Sequence, residues 1–164
     1  MDSESSAAAI QTLTSSAPIE RPWYELGLTD PVKGKAVREL YAKQMKALND
    51  LIGVSNPSVV TVVVPYFHYE YDYTEHHFVD ASTHGYSDLK SASAKHPSLA
   101  VVAGIPDAAA VLSEYVTNPN NQMEYRLYAL TMLAYLDRGM AESLVKRVES
   151  DPKMKDLWNA IQRE

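Results

Sequence analysis

"SVVTVVVPYFHYEY", residues 58–71, is the stretch on which the fold turns. It is dominated by β-branched and aromatic residues, the strongest strand signal in the chain. Pro65 cannot donate to a ladder, so the strand is expected to lie at an edge or to break there. Side chains alternate along a strand, which places Phe67, Tyr69 and Tyr71 on one face and His68, Glu70 and Asp72 on the other.

The stretch runs on into a segment, 62–82, that holds three of the chain's five histidines. If the chain turns back at "DYTE" (72–75), a hairpin pairs Tyr71 with His76 and Glu70 with His77. His68, Glu70 and His77 then share a face, and two histidines with one carboxylate are the ligand set of non-haem iron oxygenases and of some zinc hydrolases. That loop contains neither glycine nor asparagine to favour a tight turn. Cross-strand aromatic and opposite-charge pairs are also ordinary sheet stabilisers. The expected hairpin therefore packs an aromatic face on the core and leaves a titratable face in water, with no cofactor. Between these two readings stands a pH switch, since His68, His76, His77 and His84 lie beside carboxylates and histidine titrates near ~6.5.

Working outward, the 164 residues suit one domain, which at this size buries roughly two-thirds of the surface of the unfolded chain. The absence of cysteine excludes thiol catalysis and thiolate-bound zinc or iron–sulfur clusters. A net charge of −6 argues against general nucleic-acid binding, which draws its affinity from lysine and arginine on phosphate. The longest nearly apolar run, "LYALTMLAYL" (127–136), is far short of the ~20 residues a membrane-spanning helix needs. No glycine-rich phosphate loop, G-x-S-x-G elbow or H-E-x-x-H occurs.

Residues 1–22 are rich in Ser, Ala and Thr and are expected to form a flexible, extended arm. Trp23 and Tyr24 are the candidate anchor where the arm meets a single globular domain, 23–164. The arm lacks the basic start of a secretory signal, so a cytoplasmic location, or one inside a particle, is expected. Asp30 and Pro31 announce a helix: the carboxylate can accept backbone N–H groups, and proline loses nothing at the first position. Val37, Leu40, Tyr41, Leu48, Leu51 and Ile52 follow at helical spacing, and Gly53 ends the run. Residues 99–116 read either as a strand followed by a helix or as two short helices broken at Pro106. Asn121 with Glu124 resembles a capping box, and Gly139 is expected to stop the helix that follows. Asp151 and Pro152 start a last helix carrying Met154, Leu157, Trp158 and Ile161.

Helix 122–138 carries two apolar stripes. On the stripe of Met123, Leu127, Leu130 and Ala134, Leu127 and Leu130 are expected to face the core, and a helix so apolar all round is either central to the core or covered by a partner. Tyr125, Tyr128, Met132 and Tyr135, residue types enriched at interfaces, are expected to meet a partner together with Tyr69 and Tyr71. The chain thus reads as α+β: four to five helices, a small β-hairpin or short sheet, and an extended N-terminal arm. The function expected is that of a non-enzymatic assembly subunit of a larger particle, a virion being one instance, whose partners are copies of itself or other protein subunits. The alternatives are a small metal-dependent enzyme or metal-binding module using His68, Glu70 and His77, and a soluble adaptor for a peptide or helix.

Overall fold

A computed structural model describes residues 3–18, 30–70 and 89–163. The elements run α1 (Ser3–Ser15), α2 (Pro31–Asp50), α3 (Ser58–Val63), a 3-10 segment (Val64–Glu70), α4 (Leu89–Lys95), α5 (Pro97–Ala103), α6 (Ala108–Thr117), α7 (Met123–Leu136), α8 (Arg138–Ser150), a 3-10 turn (Pro152–Met154) and α9 (Lys155–Arg163). No strand occurs among the described residues, and the helices outnumber the four to five expected. The α+β expectation is thus overturned, and the fold is helical.

The decisive stretch went the other way for a physical reason. Val59, Val60, Val63, Val64, Tyr66 and Phe67 are all buried, so the segment is enclosed on most sides. Branched apolar residues there report burial, and a fully buried run does not distinguish strand from helix by periodicity alone. Asn56 fixes the helical start, its Oδ1 accepting from the Ser58 amide at 3.1 Å and from the Ser58 hydroxyl at 3.0 Å. Pro65, which has no N–H, sits where the helix tightens into its 3-10 continuation.

Local signals elsewhere held. The Asp30 carboxylate accepts from Val32 N and Lys33 N, each at 3.1 Å, with Pro31 in the first turn. Gly53 turns the chain at φ 93, a conformation glycine adopts without steric penalty. Residues 97–117 are two helices, and the break beyond Pro106 passes through Asp107 at φ 63. Asp151 accepts from Lys153 N at 2.9 Å at the entry to the final helical region.

Other expectations are corrected. Asn121 and Glu124 do not form a capping box: the Asn121 amide donates to Tyr115 O at 3.1 Å, and Glu124 takes the Tyr128 hydroxyl proton at 2.6 Å. Gly139 lies inside the first turn of α8, and Asp137 makes the corner instead, accepting from Met140 N at 3.0 Å. The N-terminal segment, expected to be extended, is helical over Ser3–Ser15 and packs on α2 and α3 with Ala9 and Leu13 buried.

One continuous core joins α1 through α9. Leu48, Leu51, Leu99, Val102, Leu112, Val116, Met132, Leu133 and Leu157 lie fully inside it. No single helix among the described residues is long and apolar enough to cross a membrane.

Candidate interaction surface

α7 and α8 form a helical hairpin whose only connecting residue is Asp137, and so short a link forces the two helices to be close antiparallel neighbours. α7 turns Arg126, Tyr128, Ala129, Met132 and Leu133 into the core, and α8 turns in Ala141, Leu144 and Val148. Two of the side chains on the joint surface, Ala134 and Ala141, are small. The surface holds an open hollow of about 400 Å³ lined by Leu130, Ala134, Ala141 and Val145 and edged by Arg138, Glu142 and Lys146. Arg138 and Glu142 pair across one helical turn at 3.5 Å, both largely exposed, so the pair adds little stability. The floor of the hollow is apolar and its rim carries a surplus of positive charge.

Burial differs along the two stripes of α7. Met132 is fully enclosed and Tyr128 is 8 % exposed, so both belong to the core of this chain, where a partner cannot reach them. Tyr128 packs edge-on to Phe67 with ring centroids 6.1 Å apart, and it leans on Tyr125 at 6.0 Å. Tyr125 and Tyr135 are half-buried against the same core. Leu127 and Leu130, expected inside, are only half-buried, and Ala134 is exposed. The stripe 123, 127, 130, 134 is the more exposed of the two. Sequence could not rank the two stripes, because α7 is apolar around most of its circumference.

His68, Tyr69 and Glu70 fall in the 3-10 segment, so the period-of-two argument that grouped His68 with Glu70 has no strand to act on. Their side chains, together with Tyr71, His76, His77, His84, Trp23 and Tyr24, lie outside the described part of the structure. Among the described residues no group of three His, Asp or Glu side chains is arranged to hold a metal ion.

Three polar residues that sequence reasoning passed over are buried. Gln44, fully enclosed on α2, donates from Nε2 to Ser16 Oγ at 2.8 Å and to Ala17 O at 3.1 Å, fastening the end of α1. His96 is buried beside α5 and meets Phe67 edge-on at 5.1 Å. Arg126 is 7 % exposed and donates from Nε to the Val116 carbonyl at 2.7 Å. The only sequence signal for Gln44 and Arg126 was position: each stands one helical turn from apolar neighbours on an inward stripe.

No protein-family model, no curated protein and no solved structure matches this chain.

Proposed function

We propose that this chain is a non-enzymatic assembly subunit that associates with copies of itself, using the α7–α8 hollow as the socket for an apolar anchor. The observation that carries the reading is the hollow's composition: an open apolar floor of Leu130, Ala134, Ala141 and Val145 under a rim with two cations and one anion. Stable interfaces place their energy in a few anchors seated in such pockets, with a charged rim that steers and registers the partner. A second copy suits the rim because the chain as a whole carries −6, so its average surface is the electrostatic complement of Arg138 and Lys146. The hollow alone is smaller than a stable interface, which buries upwards of about 1,000 Å², so it marks the centre of a larger contact.

Native mass measurement across a range of protein concentrations tests this reading. The expected result is a discrete oligomer that dissociates on dilution and grows weaker with salt. A chain that stays monomeric at every concentration refutes self-assembly, and capture of a single different helix in the hollow would turn the reading to that of an adaptor.

A further inference from the structure

The hollow takes an apolar anchor, and among the described residues three large apolar side chains are exposed: Val32 at 81 %, Ile52 at 43 % and Met140 at 37 %. Charge separates them. Val32 lies in the first turn of α2, at the positive end of the helix dipole and beside Lys33 and Lys35, so it would bring positive charge onto the rim of Arg138 and Lys146. Met140 has Arg147 on its own flank of α8, since seven residues return to within about 20° of the same direction. Ile52 follows the C-terminus of α2, the negative end of the dipole, and stands two residues from Asp50. It is the one of the three whose surroundings complement the rim.

Ile52 also has the shape of a knob. Leu51 beside it is fully enclosed in the core, Ile52 N donates to Asn49 O at 3.2 Å, and Val54 N donates to Leu51 O at 3.1 Å, so the corner is fixed from within. Gly53 then turns the chain at φ 93, and every residue from 52 to 58 is exposed except the half-buried Val54. An apolar side chain carried on a corner already held in place loses little freedom when a partner encloses it.

We propose that Ile52 of a second copy is the anchor that seats in the α7–α8 hollow. The inference rests on the self-assembly reading. At about 400 Å³ the hollow exceeds the roughly 150 Å³ cavity that one large-to-small change opens in a core, so it accepts the isoleucine together with the adjoining turn of backbone. Asp50 arrives with it. Its surface pair with Lys46, at 2.7 Å, adds little stability and is readily exchanged, and Arg138 and Lys146 at the rim offer the carboxylate new partners. Ile52 does not line the hollow, so every copy carries a knob in one place and a socket in another, an arrangement that joins copies as a reciprocal pair or head to tail.

The test is sedimentation of wild type, Ile52→Asn, Val32→Asn and Ala134→Glu, with urea midpoints for each. Ile52→Asn is expected to weaken association by roughly 30-fold or more, the effect of losing an interface anchor, while Val32→Asn leaves it unchanged. At a concentration where Ile52→Asn and Ala134→Glu are each monomeric, mixing them is expected to yield a 1:1 dimer, because the first retains the socket and the second the knob. A second arm holds even where Ile52→Asn fails to fold: the chain has no cysteine, so Ile52→Cys mixed with Ala134→Cys under mild oxidation should form the mixed disulfide above its statistical share over the two homodimers. Association unchanged in Ile52→Asn, loss of association in Val32→Asn instead, no dimer on mixing, or disulfides at the statistical ratio overturns the anchor. An oligomer that Ala134→Glu abolishes and Ile52→Asn leaves intact refutes Ile52 alone, whereas a wild-type chain monomeric at every concentration refutes the assembly reading and the anchor with it.

Discussion

The hydroxyl of Tyr66 shares its proton between the carbonyl oxygens of Leu13, at 2.5 Å, and Ser16, at 2.9 Å, joining the 3-10 segment to the end of α1 across 53 residues of chain. Together with the bond from Gln44 Nε2 to the Ala17 carbonyl, it satisfies carbonyls at and just beyond the C-terminus of α1, while the second Gln44 bond reaches the Ser16 hydroxyl. α1 buries little else, Ala9 and Leu13 being its buried residues among those described. Its docking depends on polar groups held by a rigid core.

Tyr66→Phe should therefore loosen α1 without unfolding the rest. The expected cost is about 1–3 kcal/mol, the penalty of leaving buried acceptors unsatisfied. Urea unfolding gives the cost, and proteolysis should cut within residues 3–18 faster in the variant. Equal protection of α1 in both proteins would show that the tyrosine does not hold it.

The same hydroxyl makes stability depend on alkaline pH. Burial pushes the Tyr66 pKa up to about 12, and burial with the field of Tyr125 does the same to Tyr115. Unfolded tyrosines ionise near ~10, so between about pH 10 and 12 the unfolded chain releases protons that the folded chain keeps. The stabilisation is complete below that window and falls as pH rises through it, by up to about 1.4 kcal/mol per unit for each tyrosine. Urea midpoints measured through the window should show this decline, and Tyr66→Phe should flatten it. A slope indifferent to that substitution would remove Tyr66 as its source.

Met132 and Leu130 separate core from surface on one helix. Met132→Ala should cost about 2–5 kcal/mol, because the site is fully enclosed and a cavity must form. Leu130→Ala, on the half-buried floor of the hollow, should cost distinctly less in the isolated chain. Chemical unfolding of the two variants decides it, and equal losses would contradict the orientation of α7.

How much of this was legible follows the range of the signal. The entry to α2 could be read because Asp30 and Pro31 act within three residues, and the last helical region because Asp151 acts within two. The 58–70 segment could not, although Val59, Val60, Val63, Val64 and Phe67 follow helical spacing, because branched residues favour strands wherever context is silent. The hollow was illegible for another reason: Ala134 and Ala141 line it from either side of a corner that the sequence placed at Gly139 rather than Asp137. Gln44 and Arg126 reveal their burial only through partners 28 and 10 residues away.

The most direct measurement is sedimentation of wild type beside Ala134→Glu. Ala134 is exposed on the floor of the hollow, so a glutamate there fills the socket with charge without entering the core. The account predicts a concentration-dependent oligomer for wild type and, for the variant, a monomer with an unchanged urea midpoint. Identical mass distributions for the two proteins would contradict assembly through the α7–α8 hollow.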